Sequence, residues 1–127
     1  MTHSNKPSLG QALWHDLTVK DAESVRDFYQ SVVGWQVKPV DMGGYQDFSM
    51  QCPDTGQDQA GICHAQGGNA ELPAQWLIYF SVADLDKSME EVNKAGGKCL
   101  TPVKHFGDSR YVVIEDPAGA VCALYQP

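Results

Sequence analysis

The chain has 127 residues, 43% of them hydrophobic, which is enough for one domain with a sizeable core. Its formal net charge of −7 argues against nucleic acid as a partner, because phosphate binding needs a basic face. No run of about 18 apolar residues occurs, so no membrane-spanning helix is predicted.

The N-terminus and the cysteines both bear on location. Residues 1–10 are polar and lack the apolar segment of a secretion signal, which predicts a disordered lead-in and a cytoplasmic protein. In a reducing compartment the cysteines are expected to be free thiols that behave as small core residues. They are Cys52, Cys63, Cys99 and Cys122, with no CxxC spacing.

The chain repeats itself at about half its length. Several residues recur at an offset of 63 positions, which indicates two copies of one module, at about residues 11–66 and 74–127. No linker or low-complexity stretch divides them, so residues 11–127 are predicted to form a single domain. The recurring pairs are Val19 and Val82, Asp21 and Asp84, and Gly34 and Gly97.

The first module is predicted to run strand, helix, strand, strand, strand. Asp21 suits a helix N-cap, and Gly34 suits the left-handed position after a helix. Apolar residues spaced three and four apart predict one buried helix face. That face comprises Ala22, Val25, Phe28, Tyr29 and Val32. Strands are predicted at residues 12–18, 35–40, 45–51 and 60–64.

The second module repeats this plan. Asp84 is expected to cap a helix that ends at residues 96–97, and residues 116–119 predict a hairpin turn. Strands are predicted at residues 76–82, 98–103, 110–115 and 120–125, with a loop at residues 104–108. The predicted fold is α+β, with two βαβββ modules forming a curved mixed sheet around a cleft.

Several motifs in this order resemble the vicinal oxygen chelate superfamily of glyoxalase, bleomycin-resistance and dioxygenase-like proteins. They are Val-x-Asp before each helix, Phe28-Tyr29 followed by Gly34-Trp35, and the closing Asp-Pro-Ala-Gly at residues 116–119. Within the superfamily the chain is similar to the 27-kDa-antigen-like, glyoxalase-like branch, which shares the motifs at residues 14–17, 43–45 and 60–62. The resemblance implies the glyoxalase/bleomycin resistance fold and a homodimer.

The resemblance also implies where a divalent metal would be bound. Its ligand positions fall on Trp14, Leu77 and Ala123, with a fourth near Cys63 or His64. Indole, isobutyl and methyl groups cannot coordinate a metal, so no metal cofactor is expected. The family's usual lactoylglutathione lyase and dioxygenase activities are then not predicted, since those reactions need a bound metal as a Lewis acid.

Aromatic residues are expected where the family turns its strands inward. Trp14, Tyr79 and Tyr125 fall on inward positions and would stack on flat or apolar molecules. Alternatively, these rings fill the cavity and form a core. Tyr45, Phe48 and Tyr111 are candidate additions.

Polar candidates are fewer. Asp16 shares the strand face of Trp14 and would bind a cationic ligand or act as a base, unless Arg110 or a backbone amide holds it. His64 ends a strand at the expected cavity lip, where it would contact a ligand. His105 lies in the predicted loop, which could cover the cavity.

Three functions are consistent with these patterns. The first is a metal-independent protein that binds a small aromatic or cationic molecule in the inter-module cleft. The second is a metal-dependent lyase, isomerase or dioxygenase with an atypical ligand set drawn from His64, Cys63 or Asp16. The third is a dimeric structural domain with a closed cavity. Under the first, the ligand-binding residues are Trp14, Asp16, His64, Tyr79 and Tyr125.

Overall fold

The computed structural model describes residues 8–127, which divide into two compact units. One unit comprises residues 14–76, and the other combines residues 77–127 with the described residues that precede Trp14. Of the lead-in predicted for residues 1–10, residues 1–7 lie outside the described residues. Ser8 and Gly10 are described, and both make hydrogen bonds to Ser81.

The first unit is a mixed sheet with one helix. Its strands lie in the order β2-β3-β4-β1, antiparallel except that β1 and β4 run parallel. The elements are β1 (Ala12–Val19, whose first two residues precede the unit), α1 (Ala22–Val33), β2 (Gln36–Asp41), β3 (Gln46–Gln51) and β4 (Asp58–His64).

Helix α1 begins and ends where its capping residues predict. The Asp21 carboxylate accepts the amide N–H of Ser24, and Gly34 adopts a left-handed φ of 86°. Ala22 packs with Phe48, Met50 and Ile62 of the sheet in the core of this unit.

The predicted buried face of α1 is partly wrong. Phe28 is 57% exposed and Val32 is 64% exposed, whereas Ala22 is fully buried. The reason is geometric, since a sheet covers only one side of a helix, and the stripe of apolar residues is wider than that side.

The second unit has the same kind of architecture. Its strands lie in the order β5-β9-β8-β6, with β5 and β9 parallel, and β7 pairs with another part of β8. Helix α2 packs through Leu85 against Val112 and Ile114. The elements are β5 (Trp76–Ser81, whose first residue belongs to the first unit), α2 (Leu85–Lys94), β6 (Lys98–Cys99), β7 (Lys104–Phe106), β8 (Ser109–Glu115) and β9 (Val121–Gln126).

The segment between α2 and β8 differs from the prediction. Strand β6 stops at Cys99, and the predicted loop at residues 104–108 contains β7, in which His105 pairs with Arg110. Gly107, with a φ of 60°, lets the chain reverse within two residues between Phe106 and Ser109. His105 is therefore a strand residue and does not lie in a covering loop.

The predicted turn at residues 116–119 is confirmed. The Asp116 carboxylate accepts the amide N–H groups of Ala118 and Ala120, and Gly119 has a φ of 88°. Both modules run strand, helix and then further strands of a mixed sheet, with β7 an additional short strand in the second, which confirms the α+β class. All four cysteines are free thiols and are partly rather than fully buried. Among the described residues, no helix is long and apolar enough to cross a membrane.

Candidate functional site

The face of the first sheet that lies opposite α1 carries a row of polar residues. Strand pairing places Asp16 and Ser49 on either side of Gly61, and Thr18 beside Cys63. Side chains alternate along a strand, so these residues share one face while Phe48 and Ile62 point toward α1. This face is called the polar face below.

Trp14 and Asp16 are joined on the polar face. The indole Nε1–H of Trp14 donates a hydrogen bond of 2.6 Å to the Asp16 carboxylate, and both side chains are half-buried. In the second unit, Arg110 donates to Asp86 and Gln126. The Asp16 carboxylate is therefore oriented by the ring next to it.

Asp47 is the most buried carboxylate of the polar face, at 8% exposure. It accepts the backbone N–H of His64 at 2.9 Å, and its oxygen lies 3.2 Å from Nδ1 of the His64 ring. The Cys63 thiol also bonds to Asp47. Burial raises the pKa of that thiol strongly, and the nearby carboxylates of Asp16 and Asp47 raise it further.

This bonding fixes the orientation of His64. In the neutral tautomer whose Nδ1–H donates to Asp47, Nε2 is the hydrogen-bond acceptor of the ring. The ring centroid lies 5.7 Å from that of Tyr45 and 6.0 Å from that of Phe48. Tyr45 therefore adjoins the predicted site, whereas Phe48 packs in the core under α1 and is not a site residue.

The corresponding face of the second sheet is apolar and aromatic. Tyr111 lies between two other tyrosines, with ring centroids 5.8 Å from Tyr79 and 6.5 Å from Tyr125. Tyr111 and Tyr125 are nearly parallel, at 23°. All three rings are half-buried, next to the buried side chains of Leu77 and Ala123. We call Tyr79, Tyr111 and Tyr125 the tyrosine cluster.

Strand register locates the fourth metal-ligand position of the family. Asp16 pairs with Gly61 in the first module, just as its repeat equivalent Tyr79 pairs with Ala123 in the second. Gly61 is thus the counterpart of Ala123, and neither Cys63 nor His64 is. An added Cβ at Gly61 would overlap the Asp16 carboxylate.

The donor set at these positions does not fit a divalent metal. Trp14, Leu77, Ala123 and Gly61 offer an indole, an isobutyl group, a methyl group and a hydrogen atom. No group of three or more His, Cys, Asp or Glu side chains suited to a metal occurs within residues 8–127.

Of the predicted site residues, the structure joins Trp14 and Asp16 by a hydrogen bond. His64 belongs to the same unit, where it bonds to Asp47, and Tyr79 and Tyr125 belong to the second unit. Asp47 was missed, although its alternation with the apolar Phe48 and Met50 along one strand signals a polar residue on the other face.

Sequence and structure comparisons identify relatives. Residues 9–124 match the sequence profile of the Glyoxalase/Bleomycin resistance protein/Dioxygenase superfamily. The anthracycline biosynthesis protein DnrV of Streptomyces peucetius is 32% identical over 92% of this chain and 47% of its own length. CFP32 of Mycobacterium tuberculosis, which is named as a glyoxylase, is 34% identical over 92% of this chain and 46% of its own. The chain spans about half the length of these curated relatives.

Solved structures show the same fold. A superfamily member from Vibrio splendidus aligns over 90% of this chain and 97% of its own, with a TM-score of 0.59 and 15% identity. Methylmalonyl-CoA epimerase of Mycobacterium tuberculosis aligns over 98% and 93%, with a TM-score of 0.56 and 16% identity. With its paired modules and a profile match over nearly its whole length, the chain belongs to the glyoxalase/bleomycin resistance protein/dioxygenase superfamily.

Proposed function

We propose that this protein binds a small aromatic or cationic molecule without a metal, through Trp14, Asp16, His64, Tyr79 and Tyr125. The proposal is carried by the side chains at the positions where the family is expected to bind a metal. Those side chains cannot coordinate a metal, while the neighbouring positions hold aromatic rings and an oriented carboxylate.

The tyrosine cluster supports a flat ligand. Tyr111 and Tyr125 are almost parallel, and the three rings are only half-buried, so ring surface remains for a guest. Aromatic pairs contribute about 0.5–1.5 kcal/mol beyond the area that they bury. Stacking on such rings would therefore favour planar ligands over flexible aliphatic ones.

The polar face supports a positively charged ligand. Asp16 and Asp47 place two carboxylates on one sheet face of a chain whose net charge is −7. The Trp14 indole donates to the Asp16 carboxylate and orients it on this face.

A relative points in the same direction. DnrV is an anthracycline biosynthesis protein, and anthracyclines are built on fused planar rings. For the present chain this similarity supports a polycyclic ligand, although the chain spans only about half of that relative.

A titration with a planar aromatic cation tests the proposal. We expect 9-aminoacridine to bind saturably, by fluorescence, with the same affinity before and after treatment with a chelator. Asp16→Asn keeps the oxygen that accepts the Trp14 indole but removes the charge, and we expect it to weaken binding about tenfold. Phe28→Ser, on an exposed helix position, is the matched control and should bind as the wild type does.

Two outcomes would count against the proposal. Binding that appears only when a divalent metal is added would favour the metal-dependent alternative. An absence of binding by 9-aminoacridine and by neutral acridine would favour the closed-cavity structural alternative.

An enzyme is a second candidate, favoured by the Asp47–His64 pair. A carboxylate that holds Nδ1 of an imidazole leaves Nε2 to take a proton from a substrate, as in general base catalysis. With the hemithioacetal of methylglyoxal and glutathione as substrate, lyase activity abolished in His64→Gln would support this candidate. Equal rates in the wild type and the variant would oppose it. The homodimer and the cytoplasmic location stay predictions.

A further inference from the structure

The first unit contains a cavity on the side of its sheet that carries α1. Its volume is about 280 Å³, and it is lined by His15, Trp35, Gln59, Ala60 and Trp76. His15 alternates with Trp14 and Asp16 along β1, so this cavity lies on the opposite face from the polar face. Its size, just below the roughly 300–1,000 Å³ of pockets for drug-sized ligands, suits a small molecule.

Two indole rings form adjoining walls of the cavity. The centroids of Trp35 and Trp76 lie 6.2 Å apart, and the ring planes meet at 75°. The Nε1–H of Trp76 donates a hydrogen bond of 3.1 Å to the Tyr29 hydroxyl, which fixes that ring and satisfies its polar atom. Both indoles also pack against the core, so the walls are held in place.

A β-bulge adds a polar side chain to this apolar wall. Met50 pairs with Ala60 and Gln51 with Asp58, so Gln59 falls between two paired residues. Bulges re-aim side chains, and here Gln59 lines the cavity. Together with His15 it gives the cavity two side chains that can form hydrogen bonds.

We propose that this cavity binds a small methylated ammonium cation between the Trp35 and Trp76 rings. Tryptophan faces attract cations through the ring quadrupole more strongly than other aromatic side chains, and aromatic cages recognise quaternary ammonium groups in this way. Charge favours the same class of ligand. The lining residues include no Lys or Arg among those that the structure describes, and the chain carries a net charge of −7.

The inference does not rest on the function proposed above. The cavity shares no residue with the polar face or the tyrosine cluster, and its lining contains neither Trp14 nor His64. A cation bound here would leave those groups untouched.

The three indole N–H groups of the chain provide the test. Choline is titrated into ¹⁵N-labelled wild-type protein, and the indole signals are followed by NMR, with assignments from Trp14→Phe and Trp35→Phe. We expect saturable shifts of the Trp35 and Trp76 signals and none of the Trp14 signal. Shifts confined to Trp14, or no saturable shift at all, would overturn the proposal.

A neutral isostere separates charge from shape. 3,3-Dimethylbutan-1-ol has the outline of choline without its charge, and we expect it to bind at least about tenfold more weakly, as a desolvated cation–π contact implies. Equal binding of the two would show an apolar pocket and contradict the proposal. Trp35→Phe keeps an aromatic wall, and we expect it to weaken choline binding severalfold, whereas Phe28→Ser, on an exposed helix position, should leave it unchanged.

Discussion

At the scale of single residues, the polar face is organised around Gly61. Because this residue has no side chain, the Asp16 carboxylate can lie over it and accept the Trp14 indole. Glycine at this position therefore offers no metal ligand, but it leaves room for the Asp16 side chain. The same strand then supplies Cys63 and His64, which both bond to Asp47.

Gly61→Ala tests this arrangement. Its methyl group would overlap the Asp16 carboxylate and come within 3.6 Å of Trp14 Nε1. We expect urea unfolding to show a loss of about 1–3 kcal/mol, since the buried pair must separate. In an Asp16→Ala background the same substitution should cost less, because the clash is gone. If Gly61→Ala lowered the free energy of unfolding equally in the wild type and in Asp16→Ala, this explanation would be contradicted.

Cys63 predicts how stability depends on pH. Burial, followed by Asp16 and Asp47, raises the pKa of its thiol in the folded protein. A group whose pKa is raised by folding stabilises the fold fully below its unfolded pKa, about 8.5 for a thiol, and loses that contribution as the pH rises above it. The free energy of unfolding should therefore fall above that pH.

Cys63→Ser measures how much this residue contributes to the pH dependence of the free energy of unfolding. Between the unfolded and folded pKa of the thiol, the variant should lose less stability with rising pH than the wild type, as followed by urea unfolding at several pH values. Cys52→Ser serves as the control and should keep the wild-type slope. A wild-type slope in Cys63→Ser would show that this thiol is not the titrating group.

At the scale of elements, helix α1 buries a narrower face than its sequence suggests. Ala22 is buried, while Phe28 and Val32 are more than half exposed. On the sheet below, Phe48 and Met50 are almost completely buried and complete the core of the first unit. The cost of a substitution should follow this burial and not the hydrophobicity of the residue.

Two phenylalanines make a matched pair for that expectation. Phe48→Ala should cost about 3–5 kcal/mol, because it opens a cavity in the core. Phe28→Ser should change the stability by no more than about 0.5 kcal/mol, because the ring is 57% exposed. Both values follow from chemical denaturation monitored by circular dichroism. A cost for Phe28→Ser as large as that for Phe48→Ala would show that α1 is rotated from this placement.

Much of the fold follows from local signals in the sequence. Asp21, Gly34 and the turn at Asp116 specify their elements because their side chains or φ values act on adjacent backbone. Segments whose structure depends on pairing with a distant strand could not be predicted in this way. Strand β7 forms because it pairs with β8, and no local sequence pattern indicates that pairing.

The candidate site was predictable only in part. Strand alternation places Trp14 and Asp16 on one face, but it does not reveal the hydrogen bond between them. The fourth ligand position, expected near Cys63 or His64, lies at Gly61, because it depends on which residues of β1 and β4 pair, and no local pattern fixes that register. A shift of one residue moves a side chain to the other face of a sheet, so the exact register was needed.

At the scale of the whole molecule, the two modules have diverged in chemistry while keeping one plan. The first carries carboxylates and a thiol on the face opposite its helix, with the His64 imidazole bonded to Asp47 at the strand end, and the second carries the tyrosine cluster. At the positions that the resemblance assigns to metal ligands, both modules carry side chains that cannot coordinate a metal. We therefore propose that this superfamily member functions without one.

Metal content tests that claim most directly. The protein would be purified without chelators, dialysed against metal-free buffer and measured by inductively coupled plasma mass spectrometry. We predict far less than one equivalent of any transition metal per chain, because Trp14, Leu77, Ala123 and Gly61 supply no ligand. Close to one equivalent of a single metal, lost on replacing His64, would contradict the claim and favour a metal-dependent enzyme.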